Sequence, residues 1–244
     1  ETPKGNIKTE WVINAAGLWG REVAKLAGIT LPLLPTEHQY FVTETIAEIA
    51  AMDRRLPSVA DRDGEYYLRQ EGQGLLVGAY EKDVRFWAED GTPQGFGHEL
   101  FADDLERIED NMMRAIDRVP AVGEAGIKRV INGPMIWSPD SNVLYGPHPD
   151  LRNYLCCNGI IPGFSQSGGM GLMAAQWIIN GESDYDMFAW DVARFGPWAD
   201  AKFTKARVGD QYAKRFAIHF PNEERAAGRP VRTRPIYEMQ QAMG

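Results

Sequence analysis

The chain has 244 residues, of which 44% are hydrophobic and 25% charged, and its formal net charge is −8 at pH 7. This composition is typical of a globular protein with one large domain or two small ones. The negative charge argues against nucleic-acid binding, which normally needs a basic surface. No apolar run approaches the ~20 residues that cross a bilayer, and no secretory signal is expected at the N-terminus.

The only two cysteines, Cys156 and Cys157, are adjacent. A disulfide between neighbours is strained and closes no useful loop, so both are predicted to be apolar strand residues of an intracellular protein. No further Cys or His pair completes a ligand set, and no metal site is predicted.

The chain opens with a short apolar strand at residues 11–13, a turn of small residues and a helix that runs to Leu26 and ends near Gly28. The strands that normally precede such a unit are missing, which suggests a partial sequence. The turn either presents backbone N–H groups to a phosphate or cofactor, or allows tight packing of strand and helix. The candidate cofactor-binding residues here are Ala15, Ala16, Gly17 and Trp19.

A strand is predicted at residues 38–42, and its alternation places His38 and Tyr40 on one face. Both side chains could line a substrate cavity, or they could be a satisfied core histidine and a packed aromatic. A hairpin follows, with strands near residues 66–68 and 75–77, and it carries Arg69.

Next, residues 85–97 are predicted to be a long loop, and residues 100–119 a helix that Pro120 ends. A strand at residues 130–137 is expected to break at Gly133-Pro134. This dipeptide and the segment after it form either a structural turn with Asp140 as a cap, or a loop beneath a cofactor.

Short strands at residues 143–145 and 154–157 lead into a glycine-rich loop at residues 159–171, and a helix is predicted at residues 172–179. Glycines allow positive φ and close approach, and a helix N-terminus offers free N–H donors to an electron-rich group. The candidate cofactor-binding residues are Gly159, Gly163, Gly168, Gly169 and Gly171. The chain has no Gly-x-Gly-x-x-Gly fingerprint. After residue 195 it becomes polar, basic and rich in proline, which predicts an extended arm.

Seven stretches resemble, in order, the flavoprotein module of the sarcosine/dimethylglycine dehydrogenase family, and together they cover nearly the whole chain. They are VINAAGLWGREVAKLAG, LLPTEHQYFVTE, YYLRQEGQGLLVGAYE, VINGPMIWSPD, GPHPDLRNYLCCNG, SGGMG followed by WIINGE, and FPNEERAAGRPVRTRPIYE.

The resemblance implies an α+β (mixed α/β) fold, in which part of an FAD-binding domain is joined to a mainly antiparallel sheet that roofs the flavin. Residues 1–31 would end the FAD-binding domain, and residues 32–135 would form the substrate domain. Residues 136–185 would return to the FAD-binding domain, and residues 186–244 would be an extended arm toward a folate-binding domain.

The activity implied by the resemblance is oxidative demethylation of a secondary or tertiary N-methyl amine, such as dimethylglycine or sarcosine. FAD would accept a hydride equivalent at N5, and the iminium product would be hydrolysed or captured by tetrahydrofolate. Tyr40 would orient or deprotonate the amine, with His38 beside it. Arg69 would bind a substrate carboxylate, or remain a surface residue of the hairpin. Electrons would pass to an electron-transfer flavoprotein or to oxygen.

The chain departs from the family because it lacks the N-terminal glycine-rich phosphate loop, the ribose-binding acid and the histidine that tethers FAD in many members. Its FAD site would therefore be incomplete without the missing N-terminal half. The alternative is a non-catalytic fragment or subunit that completes a flavin site with another polypeptide. The expected location is the cytoplasm, or the mitochondrial matrix in a eukaryote.

Overall fold

A computed structural model describes residues 2–243, in which eight strands form two sheets. The strands are β1 Val12–Asn14, β2 Leu34–Thr43, β3 Val59–Asp61, β4 Tyr66–Glu71, β5 Gly74–Ala79, β6 Ile127–Trp137, β7 Leu144–Pro147 and β8 Tyr154–Asn158. The α-helices are α1 Gly20–Leu26, α2 Ala47–Ala50, α3 Glu109–Arg118, α4 Ala121–Glu124, α5 Gly163–Asn180, α6 Ala201–Ala213 and α7 Tyr237–Met243. Short 3-10 helices lie at Gly17–Trp19, Leu105–Ile108, Phe188–Trp190 and Val192–Arg194.

The larger sheet has the order β3-β4-β5-β2-β6, and every neighbouring pair is antiparallel. Alternation along β2 gives it two different faces. Phe41 faces a core that includes Val77 of β5 and Ala115 of α3. His38, with Leu34, lies on the opposite face, where α6 packs through Val208 and Tyr212.

The smaller sheet has the order β1-β8-β7, with β1 parallel to β8 and β8 antiparallel to β7. Val12 and Ile13 of β1 are each 47% exposed although they are apolar. The mixed architecture agrees with the predicted fold class. The division into domains at residues 31, 135 and 185 stays a prediction.

The prediction of a glycine-rich loop up to residue 171 was wrong, because α5 begins at Gly163 and includes Gly168, Gly169 and Gly171. Glycine lowers helix propensity by only about 1 kcal/mol relative to alanine. Packing offsets this cost, since Met170, Met173 and Ala174 are buried at helical spacing against the smaller sheet. The predicted end of the helix near Asn180-Gly181 was correct, and Gly181 has φ +83°.

The segment predicted to be an extended arm contains α6, which is capped by the Asp200 side chain accepting from the N–H of Phe203. Val208 and Tyr212 on this helix are fully buried beside Trp137. Apolar residues are few in α6, so its periodic signal in the sequence is weak. The side chains of Val208 and Tyr212 nevertheless pack against Trp137 of the larger sheet. Residues 214–236 lie outside helices and strands, as predicted.

Two other boundaries differ from the predictions. The helix predicted from residue 100 begins as a 3-10 turn at Leu105 and becomes α-helical at Glu109. The strand β6 continues through Gly133-Pro134 without a break, because it is an edge strand where a proline leaves no ladder hydrogen bond unmade. The first strand and helix, β2 and the hairpin of β4 and β5 were predicted correctly.

Candidate flavin and substrate site

Two loops leave the smaller sheet at the same edge, because β1 and β8 run parallel and are neighbours. The buried side chains of Asn14 and Asn158, at the ends of these strands, are joined by a hydrogen bond of 3.1 Å from Nδ2 of Asn158 to Oδ1 of Asn14. The Ala15–Gly17 turn follows β1, and the segment from Gly159 to α5 follows β8. Ligands of α/β folds bind at the carboxyl ends of parallel strands.

The start of α5 presents an exposed surface with little side-chain bulk. A β-carbon built at Gly163, Gly168, Gly169 or Gly171 would meet no atom within 4 Å. Gly17 on the neighbouring turn has φ +53° and is equally open. These candidate positions therefore allow a planar group to approach the backbone closely, although four of them lie in a helix rather than a loop.

The polar groups at this place suit an electron-rich ring. The first turn of an 18-residue helix leaves N–H groups without intrahelical partners and carries a partial positive charge. Oε1 of Gln166 in that turn is buried and has no hydrogen-bond partner among residues 2–243. The residues present therefore fit the ring end of a flavin.

The other cofactor candidates lie at different depths. Ala15 is exposed beside Gly17, whereas Trp19 is half-buried. Gly133 and Pro134 pair with His38 and Glu37 inside the larger sheet. These two residues belong to strand β6 of the larger sheet, and they form no separate loop beneath a cofactor.

His38 is the centre of a polar network on the larger sheet. Its Nδ1 lies 3.0 Å from the Tyr212 hydroxyl, and its Nε2 lies 3.0 Å from the Tyr67 hydroxyl. The Tyr212 hydroxyl donates to a Glu81 carboxylate oxygen at 2.9 Å. Tyr80 covers the imidazole, with ring centroids 4.6 Å apart. The structure thus gives His38 three direct neighbours that the sequence alone did not assign to it.

The His38 imidazole is neutral in this environment. Burial, together with the nearby Arg107 guanidinium, lowers the pKa of His38 to about 3. Burial raises the pKa of Tyr67, and the same cause raises the pKa of Tyr212. At neutral pH the network therefore contains a neutral imidazole and neutral phenols, and it ends at Glu81.

Tyr40 lies on the same face as His38, as the alternation predicted. It pairs with Gly78 of β5, which pairs in turn with Tyr67 of β4, so the two tyrosines flank a glycine in one cross-strand row. Tyr40 and Tyr67 are half-buried. Among residues 2–243, the hydrogen bonds around His38 involve the Tyr67 hydroxyl and do not involve Tyr40.

The side of the larger sheet that carries His38, Tyr40, Tyr67 and Tyr80 is here called the aromatic face. Two arginines border this face. Arg69 is two residues from Tyr67 on β4, its side chain is 48% exposed, and it forms an ion pair of 2.7 Å with Glu71. The exposed Arg215 follows α6 and lies over Trp137, 5.9 Å from the ring centroid. Arg69 would have to leave Glu71 to bind a substrate carboxylate, whereas Arg215 already lies beside the rings.

The helix α5, here called the glycine helix because of its four glycines, lies beside the aromatic face. Ile161, just before α5, packs against the cluster of Trp137 and Tyr212. The Trp137 and Tyr212 ring centroids are 5.6 Å apart, and Tyr212 reaches His38. Packed side chains therefore connect the start of α5 to the side of the larger sheet that carries His38.

Sequence reasoning missed Tyr67, Tyr80, Glu81, Arg107 and Tyr212. Tyr67 lies on β4 of the predicted hairpin and Tyr80 directly follows β5, so the two-residue spacing of Gly78 and Tyr80 was the available signal for Tyr80. Nothing local in the sequence links Tyr212 to His38, because 174 positions separate them. Among residues 2–243 no cluster of His, Cys, Asp and Glu has a geometry suited to a metal, and no helix is long and apolar enough to cross a membrane.

A glycine-lined helix start at the ends of parallel strands, bordered by an antiparallel sheet with an aromatic face, suits the class of flavin-dependent oxidoreductases. The chain belongs to the FAD dependent oxidoreductase family, which it matches over residues 1–177. Residues 180–233 match the FAD dependent oxidoreductase central domain.

Two of the curated relatives that the chain matches are dehydrogenases named for N-methyl amines. The chain is 42% identical to mitochondrial dimethylglycine dehydrogenase of Mus musculus over 236 residues, which is 95% of this chain and 27% of that protein. It is 36% identical to mitochondrial sarcosine dehydrogenase of Mus musculus over 98% of this chain and 26% of that protein. The chain thus spans about a quarter of the length of these relatives, and the family resemblance seen in the sequence is confirmed.

A solved structure supports the same assignment. The L-proline dehydrogenase of P. horikoshii matches with a TM-score of 0.62 and 26% identity, over 79% of this chain and 49% of that one. The fold is therefore that of the FAD-dependent oxidoreductases.

Proposed function

We propose that this chain forms the substrate side of an FAD-dependent enzyme that oxidises a secondary or tertiary N-methyl amine bearing a carboxylate. The observation that carries the proposal is the neutral His38, bonded to Tyr67 on a tyrosine-lined face next to the glycine helix. Dimethylglycine and sarcosine are the substrate class that the relatives' names suggest.

FAD, when bound, supplies the hydride acceptor for the N-methyl carbon and leaves an iminium product. Gly168, Gly169 and Gly171, with the turn at Ala15–Gly17, would hold its ring end. The other half of the FAD site would come from residues that this chain does not contain, since the chain has no dinucleotide fingerprint.

The chain's own residues prepare the amine. An ammonium group has no lone pair and cannot lose hydride, so the site must favour the neutral amine. The rings of Tyr40, Tyr67 and Tyr80 disfavour a solvated ammonium by excluding water. Tyr40 and Tyr67 would orient the nitrogen through their hydroxyls, and His38 would accept from Tyr67. Arg69 or Arg215 would fix the substrate carboxylate, which a guanidinium binds in bidentate fashion.

The product, the electron acceptor and the location are parts of the same proposal. The iminium would be hydrolysed or captured by tetrahydrofolate, and the electrons would pass to a carrier flavoprotein or to oxygen. The relatives' names place those proteins in mitochondria, so a eukaryotic source would suggest the matrix.

The proposal is tested by a screen of N-methyl amines with the flavin-loaded protein that contains this chain. Anaerobic mixing with dimethylglycine or sarcosine should bleach the flavin, whereas acids without an N-methyl group should not. His38→Asn should slow the bleaching at unchanged flavin content. A flavin that no N-methyl amine bleaches would contradict the proposal.

A second measurement addresses the alternative of a non-catalytic subunit. The isolated chain should contain no stoichiometric FAD, because it lacks the glycine-rich phosphate loop. Addition of a polypeptide that supplies this phosphate loop should restore both the flavin spectrum and the bleaching. Restored flavin without bleaching by any amine would favour the non-catalytic role.

A further inference from the structure

A chain of hydrogen bonds leads from the Tyr67 hydroxyl on the aromatic face into the protein interior. It runs from the Tyr67 hydroxyl to Nε2 of His38 at 3.0 Å, and from Nδ1 of His38 to the Tyr212 hydroxyl at 3.0 Å. The last bond joins the Tyr212 hydroxyl to Oε2 of Glu81 at 2.9 Å. Tyr67 is half-buried, whereas Tyr212 is fully buried and Glu81 is 3% exposed.

The direction of every proton in this line follows from its inner end. A carboxylate only accepts hydrogen bonds, so the Tyr212 O–H donates to Glu81. The Tyr212 oxygen must then accept from Nδ1–H of His38. Because the imidazole is neutral, its Nε2 is bare and accepts from the Tyr67 O–H. The Tyr67 oxygen keeps a free lone pair on the substrate side.

Glu81 shares the positive charge of Arg107 with two other carboxylates. The Arg107 guanidinium, 1% exposed, faces Glu81 at 3.3 Å, Glu37 at 3.6 Å and Asp104 at 3.7 Å. One positive charge thus faces three carboxylates, two of them more exposed than Glu81. Neither Oε1 of Glu81 nor the Arg107 nitrogens have a hydrogen bond of good geometry within residues 2–243.

The charged groups around Glu81 act in opposite directions. Burial raises the pKa of Glu81, and Asp83 raises it further. Arg107 and the Tyr212 hydroxyl lower it, but less than burial raises it. Glu81 therefore accepts a proton more readily than a carboxylate at the surface.

We propose that Tyr212 and Glu81 are the inner half of a proton relay that removes the ammonium proton of the substrate through Tyr67 and His38. This inference rests on the proposed amine oxidation. The substrate N–H proton passes to the Tyr67 oxygen as the Tyr67 proton passes to Nε2 of His38. The Nδ1 proton passes to Tyr212, and the Tyr212 proton passes to Glu81.

The relay balances without any electron transfer. Each N–H or O–H bond that breaks is replaced by one formed on the next atom, and the imidazole ends in its other tautomer. The net change is an ammonium converted to a neutral amine and a Glu81 carboxylate converted to the acid. Tyr212 and Glu81 act through His38, so they are positioning residues and proton carriers that do not touch the substrate.

The kinetic test uses Tyr212→Phe and Glu81→Gln in the flavin-loaded protein, with Tyr66→Phe as the matched control. Tyr66 is the buried neighbour of Tyr67 on β4 and packs in the core on the opposite side of the sheet. Anaerobic flavin reduction by dimethylglycine near neutral pH should slow about ten- to hundredfold in both relay variants. The difference should vanish at high pH, where the amine arrives neutral and needs no relay. Tyr66→Phe should keep the wild-type pH profile.

A spectroscopic test is independent of turnover. The probe is 2-aminoisobutyrate, an amine with a carboxylate but no hydrogen on its α-carbon and no N-methyl group, so it cannot be oxidised. Its binding should produce the infrared carbonyl band of a protonated carboxylic acid in the wild type, and this band should be missing in Glu81→Gln. Should Tyr212→Phe fail to fold, Glu81→Gln and the infrared band decide the matter.

The possible outcomes separate the relay from the activity. A wild type that oxidises N-methyl amines, with relay variants that keep its pH profile and a Glu81→Gln protein that keeps the band, would overturn the relay alone. Loss of rate by the same factor at every pH would also overturn it, because a structural role predicts that pattern. Failure of the wild type to oxidise any N-methyl amine would instead overturn the proposed function.

Discussion

Gly78 on β5 and Tyr67 on β4 are cross-strand partners, and the Tyr67 ring lies directly over the glycine. A β-carbon at residue 78 would overlap this ring, with Cε1 only 2.7 Å away. The missing side chain therefore lets the phenol lie flat across the sheet and reach His38. This relationship sets how Tyr67 lies on the side of the larger sheet that carries His38.

Gly78→Ala should push the Tyr67 ring away from the sheet and break its bond to His38. Overpacking of this kind costs about 1–3 kcal/mol. We expect a lower melting temperature and slower flavin reduction. Gly72→Ala at the exposed hairpin tip is a useful comparison, since its β-carbon meets nothing and it should affect stability without affecting the rate. Full activity of Gly78→Ala would mean that Tyr67 does not depend on this contact.

Tyr40→Phe tests the residue that the sequence ranked first. The ring stays and the pocket keeps its shape, but the hydroxyl that would meet the amine is lost. A charge-assisted hydrogen bond contributes about 1.5–3 kcal/mol, or roughly one to two decades in the rate of flavin reduction. Stopped-flow measurement across pH should show the loss. Equal rates and equal pH profiles would mean that Tyr40 only packs, and that Tyr67 alone contacts the amine.

Gly169→Val tests whether the exposed start of α5 approaches the flavin. Valine has a higher helix propensity than glycine, and the β-carbon meets no atom of this chain, so the helix should remain. Flavin content should fall strongly, as measured by absorbance per polypeptide. Ala175→Val, at an exposed position further along the same helix, should leave flavin content unchanged. Retention of flavin by Gly169→Val would exclude close approach at this residue.

Asp140→Asn tests the ion pair that fastens the end of β6 to the 3-10 helix at Val192–Arg194. Arg194 donates from Nε at 2.8 Å and from Nη2 at 2.9 Å to the two carboxylate oxygens. Burial raises the pKa of Asp140, but Arg194 and the nearby donors lower it more, so the pKa lies below its ordinary value. The variant should lose about 1.5–3 kcal/mol at neutral pH.

The pH dependence of this loss has a definite sign. A carboxyl whose folded pKa is lowered stabilises the protein above its unfolded pKa of about 3.9, and this contribution disappears as the pH falls through the folded value. Urea unfolding of the wild type and of Asp140→Asn should therefore converge in acid. Asp90→Asn, at an exposed acid, should match the wild type throughout. A constant difference at every pH would contradict an electrostatic origin.

The sequence by itself determined the family, the mixed fold and most strands. Alternation along residues 38–42 placed His38 and Tyr40 on one face, and small residues marked both turns beside the parallel strands. These signals are local, because a strand repeats every two residues and a tight turn needs small side chains within a few positions. They were therefore legible without a structure.

Only the tertiary structure decided which helix covers the His38 side of β2, and where the loop after β8 ends and α5 begins. The glycines at 168, 169 and 171 weaken the helical signal locally, yet burial of Met170 and Met173 makes the segment helical. Tyr212 reaches His38 across 174 positions, and its helix was expected to be an extended arm. Periodicity reports which residues share a face, but the partner that packs on it is set by burial and hydrogen bonding between distant segments, which local propensity does not encode.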